Sequence, residues 1–296
     1  MRTKKQLLVT GIGGFTGHWL RQRLEGSCWN VIGVSNEKTD GTDIQADILD
    51  EAALLNACKT IRPNAVIHLA AVSFIAHGDP ADFYRTNVLG TLNLLRALAV
   101  SGCSPDVVIL ASSAAVYGNP KSDAITEAFC PNPKNHYAAS KLAMEHMANS
   151  FASVLPLIRV RPFNYTGPGQ SSRFLVSKIT DHFRRRASFI ELGNLKIERD
   201  FSDVRDAVDV YIKLLERPDL AGEVFNLCSG ESKSLHWVLQ ECSRQTGHEL
   251  EIRVNQAFIR ANDTKRLAGD PAKLRTTLDV MPMYSMERTL NDMLCN

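Results

Sequence analysis

The segment QLLVTGIGGFTGHWLRQRLEG, residues 6–26, decides the fold of this chain. Its first five residues are typical of a β-strand, and the part from His18 onward has the pattern of a helix that ends at a glycine. The turn between them carries Gly11, Gly14 and Gly17 in the spacing G-x-x-G-x-x-G. In this context the first glycine permits a tight turn, the second lets backbone amides approach a phosphate, and the third lets the helix pack closely on the strand. Strand, glycine turn and helix N-terminus in this order predict a binding site for a dinucleotide.

The same alternation of apolar runs and helical patterns continues to residue 164. Continuously apolar strands separated by helices predict a buried parallel sheet with helices on both faces, which is the doubly wound α/β architecture of a Rossmann fold. The predicted strands are 6–10, 29–35, 64–71, 106–113 and 155–164, and the predicted helices are 18–26, 52–61, 82–102 and 136–152.

From residue 165 onward a Gly/Ser-rich loop is followed by shorter, mixed elements. We predict two interleaved domains: an NAD(P)-binding Rossmann domain at 1–164, to which strands at about 201–228 return, and a smaller C-terminal α/β cap at 165–296 that binds the substrate. The predicted elements of the second half are a helix at 174–186, a strand at 188–194, a loop leading into a helix over 199–217, a strand at 223–230 and a helix at 234–247.

Composition and charge exclude several classes of function. Of the 296 residues 44% are hydrophobic and 22% are charged, and the net charge is +2, so no nucleic-acid-binding surface is indicated. No apolar stretch approaches the roughly 18–20 residues that cross a membrane. The seven cysteines are scattered and include no C-x-x-C pair, which argues for free thiols and against a metal site. We therefore expect a cytoplasmic enzyme that binds neither nucleic acid, nor a membrane, nor a metal.

The end of the second predicted strand bears on the choice of cofactor. In VIGVSNEK, the positions at which an NAD-selective site usually carries an acidic residue hold Ser35 and Asn36. The ammonium of Lys38 would attract a 2′-phosphate, so the sequence favours NADPH over NADH, although a solvated Lys38 and the use of either cofactor stay open. Further cofactor contacts are predicted from the glycine loop, from ADIL and from HLAA: Phe15, Thr16, Asp47 at the adenine edge, Ile48, Leu69, Ala70 and Ala71.

Two motifs in the middle of the chain carry residues suited to proton transfer. In ASSAAVYG (111–118), Ser113 stands at the carboxyl end of a predicted strand, where open α/β sheets bind their ligands. In YAASK, Tyr137 and Lys141 are four residues apart and so share one face of a helix. A nearby ammonium lowers the pKa of a tyrosine phenol from its ordinary value of about 10. We expect Tyr137 to give a proton to a carbonyl oxygen, Ser113 to orient that oxygen, and Lys141 to tune Tyr137 and hold the nicotinamide ribose.

Together, GIGGFTG, ASSAAVYG and YAASK resemble the extended short-chain dehydrogenase/reductase family that acts on nucleotide sugars. The resemblance covers nearly the whole chain and implies that Ser113, Tyr137 and Lys141 are catalytic. The 4,6-dehydratases of that family carry an acidic residue just after the catalytic Ser or Thr. Here Ala114 and Ala115 fill those positions, which argues against elimination of water.

The second half narrows the resemblance. Three segments are similar both to the GDP-4-keto-6-deoxymannose reductases and to the neighbouring GDP-mannose dehydratases: RPFNYTGPGQ (161–170), ELGNLKIERDFSDVRD (191–206) and VFNLCSG (224–230). The GPGQ form is closer to the reductases. The implied reaction is NAD(P)H-dependent reduction of the C4 keto group of GDP-4-keto-6-deoxy-D-mannose, to GDP-D-rhamnose or to GDP-6-deoxy-talose. The resemblance implies that the following residues contact this GDP-sugar: Asn164, Lys178, Asn194, Arg199, Arg260 and Asp263.

Two other functions stay open at this point. One is a nucleotide-sugar 4-epimerase with tightly bound NAD⁺, because SSAAVYG is close to the SSATVYG loop of UDP-galactose epimerases. The other is a non-enzymatic NADP-binding regulator, against which the intact Ser, Tyr and Lys argue. The long helices predicted at 82–102 and 136–152 resemble the pair through which many family members form a homodimer with a four-helix interface.

Overall fold

The computed structural model describes residues 4–38, 42–74, 78–120, 122, 124–195, 197–258 and 265–295. The strands are β1 Lys5–Thr10, β2 Trp29–Ser35, β3 Ile44–Gln45, β4 Ala65–His68, β5 Val107–Ala111, β6 Leu157–Pro162, β7 Asn164–Thr166, β8 Phe189–Leu192, β9 Glu198–Asp203, β10 Val224–Leu227, β11 Ser232–Ser234, β12 Glu251–Val254 and β13 Arg266–Leu267. The α-helices are α1 Phe15–Arg23, α2 Glu51–Ile61, α3 Pro80–Tyr84, α4 Thr91–Val100, α5 His136–Ala148, α6 Leu175–Arg184, α7 Val204–Leu215, α8 Leu235–Thr246, α9 Ala272–Leu278 and α10 Met286–Cys295.

The principal sheet has seven strands in the order β10-β6-β5-β4-β1-β2-β3. Every pair from β3 to β6 is parallel. From one edge, the order β3-β2-β1-β4-β5-β6 is that of a doubly wound dinucleotide-binding fold. The chain adds strands outward on one side of β1 and then, from β4 onward, on the other side. The predicted fold class is therefore confirmed.

Helices α2 and α4 form one buried layer of this sheet. Apolar side chains of both helices belong to a single cluster with Leu8, Val66 and Val108 of the central strands, all of them almost completely buried. Such burial stabilises by about 25 cal/mol per Å² of apolar surface removed from water. The layer holds β1, β4 and β5 in place, and the segments that follow these strands carry the glycine turn, residues 69–71 and Ser113.

The single long helix predicted at 82–102 is wrong in detail. A π-helical turn at Arg85–Gly90 separates α3 from α4. The side-chain amide of Asn87 accepts from the backbone N–H of Val72 (2.9 Å) and donates to its carbonyl (3.1 Å). These two bonds satisfy the hydrogen-bonding groups of the buried side-chain amide in the π-turn. Such π-bulges often occur at functional sites.

The second half forms smaller sheets. Strands β11, β9 and β13 are adjacent, β7 also pairs with β9, and β8 pairs with β12. Helices α6, α8 and α10 contribute to one buried apolar cluster with β8. The loop predicted from residue 199 is wrong, because β9 occupies Glu198–Asp203. Its charged residue Asp200 is fully buried and accepts from the backbone N–H groups of Ser229 (2.8 Å) and Gly230 (2.9 Å), so a polar pattern is compatible with a buried strand.

The chain divides into two compact units that alternate along the sequence. The first comprises Met1–Val116, Pro133–Arg161 and Val208–Phe225, and the second comprises Tyr117–Asn132, Pro162–Ala207 and Asn226–Asn296. The predicted domain boundary at residue 164 and the predicted return over 201–228 stay predictions. Within the described residues, no helix combines the length and apolar character that a membrane span requires.

All seven cysteines are free thiols. Cys58, Cys228 and Cys242 are buried, and burial raises the pKa of each thiol, in Cys58 and Cys242 to about 12. The exposed thiols are Cys28, Cys130 and Cys295.

Candidate active site

The glycine turn lies between β1 and α1. Gly11 has a φ of 72°, and a Cβ there would stand 2.7 Å from the backbone nitrogen of Ala70. A Cβ on Gly17 would stand 2.4 Å from the carbonyl oxygen of Ile12. Gly14 precedes the first residue of the helix and has no capping side chain. Only glycine fits the first and last of these positions, because a side chain at either one would overlap backbone atoms.

This turn fits the pyrophosphate of a dinucleotide. The N-terminus of α1 is not covered by a capping side chain, and its first turn contains no acidic residue. The backbone amides and the partial positive charge of a helix N-terminus favour a phosphate there. Leu69 and Ala70 continue β4 beside this turn, where Leu69 N–H donates to the Thr10 carbonyl (3.1 Å). The residues predicted in the two segments are thus adjacent in the structure.

The predicted adenosine-side residues lie around the ends of β2 and β3. Ser35 ends β2 and pairs with Gln45 of β3, whose side-chain amide donates to the carbonyl of Asn36 (3.1 Å). Lys38 and Asp47 are exposed. Their exposure leaves both charged groups available to a ligand.

The Ser–Tyr–Lys residues belong to β5 and α5. Ser113 stands two residues beyond the end of β5, and its hydroxyl accepts from the backbone N–H of Ala115 (3.2 Å). Tyr137 and Lys141 lie one turn apart on α5, and the ring of Tyr137 packs edge-on against Phe83 at 6.0 Å between centroids. The ammonium of Lys141 donates to the carbonyl of Ala111 (2.8 Å). This bond brings the cation to the strand end that carries Ser113.

Burial sets the electrostatics of this region. Lys141 is 3% exposed, and burial lowers its pKa from 10.5 to about 8, while the negative charge of Glu145 opposes that change. Burial also lowers the pKa of His68, at the end of β4, to about 3, and the charge of Lys141 contributes to that shift. Near neutral pH, His68 is uncharged, and Lys141 carries its positive charge at the carbonyl of Ala111.

The sequence reading did not single out the residues behind Lys141. Glu145 lies one turn further along α5 and is buried, and it accepts hydrogen bonds from Ser112 of the β5 end and from Arg161 of β6. The spacing Tyr137, Lys141, Glu145 was a signal for them, because successive steps of four residues keep all three on one face of a helix.

The predicted substrate residues that the structure describes lie in the second unit. Lys178 of α6 donates to the carbonyl of Glu191 in β8 (2.8 Å), and its ammonium stands 4.8 Å from the ring centre of Phe258. Asn194 follows the end of β8 by two residues. Asn164 begins β7 and pairs with Phe201 of β9, and Arg199 belongs to the same strand β9. The remaining two predicted residues, Arg260 and Asp263, lie outside the described residues.

A Rossmann sheet, a glycine turn and a Tyr-x-x-x-Lys helix beside a strand-end serine are the features of an extended short-chain dehydrogenase/reductase, a class of oxidoreductases. The model of the family described as GDP-mannose 4,6 dehydratase matches residues 8–293. The chain belongs to this family, which confirms the resemblance inferred from the motifs.

Individual relatives agree with this assignment. The chain is 34% identical to the GDP-6-deoxy-D-talose 4-dehydrogenase of Aggregatibacter actinomycetemcomitans, over 92% of this chain and 91% of that protein. It is 32% identical to the GDP-6-deoxy-D-mannose reductase of Pseudomonas aeruginosa, over 98% and 96% of the two chains. The solved structure of RMD from Pseudomonas aeruginosa complexed with NADPH is 31% identical, with a TM-score of 0.88 over 99% of this chain and 98% of that one.

Proposed function

We propose that this protein reduces the C4 keto group of a GDP-4-keto-6-deoxy sugar with NADPH. The observation that carries the proposal is the hydrogen bond between Lys141 Nζ and the carbonyl of Ala111, because it joins the Tyr–Lys helix to the strand end bearing Ser113. The names of the two relatives, one a dehydrogenase and one a reductase of GDP-6-deoxy sugars, support the substrate class.

The residues of the chain divide the chemistry among them. NADPH, when bound, supplies a hydride to C4 of the sugar. Tyr137 gives its phenolic proton to the C4 oxygen, so the carbonyl becomes a hydroxyl with no net change of charge at the sugar. Ser113 donates a hydrogen bond to the same oxygen and orients it. Lys141 favours the phenolate that Tyr137 leaves behind, since an adjacent cation stabilises an anion in a site of low dielectric.

Cofactor and substrate contacts complete the proposal. The glycine turn binds the pyrophosphate, and Asp47 contacts the edge of the adenine ring. Lys38, with Ser35 and Asn36, binds the 2′-phosphate of NADPH. The NADPH bound in the RMD structure is consistent with this choice of cofactor. Asn164 contacts the sugar, while Lys178, Asn194 and Arg199 hold the nucleotide, Arg199 as a bidentate partner for phosphate. The product is GDP-D-rhamnose or GDP-6-deoxy-talose, according to the face of the sugar that receives the hydride.

Membership of the dehydratase-named family does not bring dehydratase activity to this chain. The two residues after Ser113 are Ala114 and Ala115, in a short 3₁₀ turn at Ala114–Tyr117. Elimination of water from the sugar needs an acid/base group, and a methyl side chain offers none.

The 4-epimerase remains the second candidate because of the SSAAVYG segment. One experiment separates the two functions. Purified protein is mixed with GDP-4-keto-6-deoxymannose and either NADPH or NADH, and loss of the reduced cofactor's absorbance is followed. We expect turnover with preference for NADPH, and a fall in kcat of about 100-fold or more in Tyr137→Phe. No oxidation of either cofactor, together with release of NAD⁺ from the denatured protein, would refute the reductase and leave the epimerase as the standing candidate.

We also propose that the protein is a homodimer whose interface is a four-helix bundle of α4 and α5 with their symmetry mates. Leu89 and Val100, in and after the π-turn, are 50% and 65% exposed, which a second copy would cover. Sedimentation of the protein and of Leu89→Arg tests this: the variant should sediment as a monomer, and a monomeric wild type would refute the proposal.

A further inference from the structure

Two consecutive residues at the end of β5 are attached to α5 by side-chain hydrogen bonds. Lys141 Nζ donates to the carbonyl of Ala111 (2.8 Å), and the hydroxyl of Ser112 donates to Glu145 Oε1 (2.5 Å). The next residue is Ser113. The end of β5 is therefore joined to α5 by the two residues that immediately precede Ser113. Their partners, Lys141 and Glu145, are one helical turn apart.

A third element anchors the carboxylate of Glu145. Arg161 of β6 donates from Nε to Oε1 (2.9 Å) and from Nη2 to Oε2 (2.6 Å), which is a bidentate pair. The two side chains are 8% and 4% exposed, and Ser112 is 5% exposed. Removing such a pair from water costs much of what the attraction returns, so a buried ion pair is weak evidence for stability alone. What it does supply is a fixed position for the carboxylate.

The charges that face Lys141 come from several elements. Glu145 lies on the same helix and favours the protonated lysine, and His68 of β4 is uncharged at neutral pH. The guanidinium of Arg161 is neutralised by Glu145 through the bidentate contact. Loss of the carboxylate would leave two buried cations on neighbouring elements.

We propose that Glu145 is a positioning residue of the active site: held by Arg161, it fixes Ser112, and through Ser112 it sets the position of Ser113 relative to Tyr137 and Lys141. The inference rests on the proposed function, since it assumes that these three residues act together. It assigns a role to Ser112, Glu145 and Arg161 that requires no contact with substrate or cofactor.

The first test removes only the hydroxyl of Ser112. We expect Ser112→Ala to lower kcat about 10-fold or more, because a misplacement of about 1 Å can cost 100-fold in rate. The KM values for sugar and cofactor should stay within about twofold. A displaced serine loses stabilisation of the transition state and changes the binding of substrate in the ground state less. The matched control is Ser101→Ala, which removes the bond from a hydroxyl to the Leu98 carbonyl at the end of α4 and should leave kcat unchanged.

A double-mutant cycle tests whether Ser112 acts through Glu145. Glu145→Ala should also lower kcat per folded molecule, and Ser112→Ala combined with Glu145→Ala should cost clearly less than the product of the two single effects, because each single change removes the hydrogen bond between these two side chains. Multiplicative effects would overturn the proposal. So would a Ser112→Ala protein that melts at a lower temperature but keeps full kcat per folded molecule, since this is the result that a purely structural role predicts.

A readout independent of turnover separates this inference from the proposed function. The phenolate of Tyr137 is titrated by ultraviolet difference absorbance, with Tyr137→Phe as the blank. In Ser112→Ala the midpoint should move to higher pH, because a cation held less closely favours the phenolate less. An unchanged midpoint refutes the positioning role. A wild type that does not reduce the keto sugar contradicts the proposed function alone, and the titration then decides the role of Ser112 and Glu145.

Discussion

At the scale of single residues, the buried imidazole of His68 is held by the hydroxyls of Thr10 and Thr91. His68 Nε2 is 2.8 Å from the hydroxyl of Thr91, and that hydroxyl donates its proton to the carbonyl of Asn87 (2.7 Å). The Thr91 oxygen must therefore accept from Nε2–H, which leaves Nδ1 to accept from the hydroxyl of Thr10 (2.6 Å). This assigns one neutral tautomer to His68, which lies between Thr10, the last residue of β1, and Thr91, the first residue of α4.

The neutral state of His68 predicts a loss of stability in acid. Its folded-state pKa is about 3, below the ordinary 6.5, so the unfolded chain binds a proton that the folded protein does not. Stability due to this group is present above pH 6.5 and falls as the pH drops toward 3. Between pH 6.5 and 5 the loss should be about 2 kcal/mol. Urea unfolding of the wild type and of His68→Gln measures it: the variant should show a shallower decline, and identical pH slopes would contradict the prediction.

Substitution of Gly11 should weaken cofactor binding in addition to the cost of its positive φ. Gly11→Ala brings a Cβ into contact with the backbone of Ala70, whereas Gly26 has the same φ of 72° and nothing within 4 Å of its Cβ position. Both alanine variants bear the cost of a positive φ, about 1–3 kcal/mol. Only Gly11→Ala should in addition weaken NADPH binding, by about 10-fold or more, because β4 must move away from the turn. Equal affinities in fluorescence titrations would refute this.

At the scale of elements, the N-terminal cap of α5 lies next to the proposed catalytic residue Tyr137. Asn135 precedes the helix, and its side chain accepts from the backbone N–H of Ala138 (2.8 Å), so the first turn, which holds Tyr137, is fixed by this cap. Asp50 caps α2 in the same way, through Ala53 (2.9 Å), but α2 carries no predicted catalytic residue.

The two caps provide a matched pair of variants. Asn135→Ala and Asp50→Ala should each lower the free energy of unfolding by about 1 kcal/mol. Only Asn135→Ala should also lower kcat, since fraying of the first turn displaces Tyr137. Chemical denaturation and steady-state kinetics on both proteins check this. A loss of kcat in Asp50→Ala as well would show that the rate follows global stability and not the cap.

The sequence predicts some elements well and others poorly, for physical reasons. β2 is predicted with the bounds that the structure gives it, because WNVIGVS is a short apolar run with no competing pattern. The π-turn at Arg85–Gly90 is invisible in the helical periodicity, since it depends on the contact of Asn87 with Val72, which are brought together by the tertiary fold. β9 is missed because its polar pattern hides a buried Asp200, which accepts hydrogen bonds from the backbone amides of Ser229 and Gly230, distant in sequence.

In the candidate site too, some residues can be predicted from the sequence and others only from the structure. The glycine turn, Ser113, Tyr137 and Lys141 belong to contiguous motifs whose chemistry can be inferred from spacing. Glu145 and Arg161 are sixteen residues apart and on different elements, so only the structure shows their bidentate contact. Local motifs are therefore readable from the chain, while the network that supports them is not.

At the scale of the whole molecule, cofactor binding should be linked to stability. A ligand that binds only the folded chain stabilises it by RT ln(1 + [L]/Kd), about 3 kcal/mol at a hundredfold excess over Kd. We expect the melting temperature to rise with the logarithm of NADPH concentration, and Lys38→Ala to need a higher NADPH concentration for the same rise. Removal of bound cofactor by dialysis should reverse the rise. Melting curves that neither NADPH nor NADH shifts would contradict dinucleotide binding.

Each of the two units contains at least one buried cysteine, whose alkylation would report the unfolding of that unit. Cys58 lies in the first unit and Cys228 and Cys242 in the second, and all three are buried with raised pKa values, so they react slowly while their surroundings stay closed. Cys28, Cys130 and Cys295 are exposed and should be alkylated first. Pulsed alkylation read by peptide mass spectrometry would then date the exposure of each unit separately, without any engineered label, and would show which half of the molecule opens first on heating.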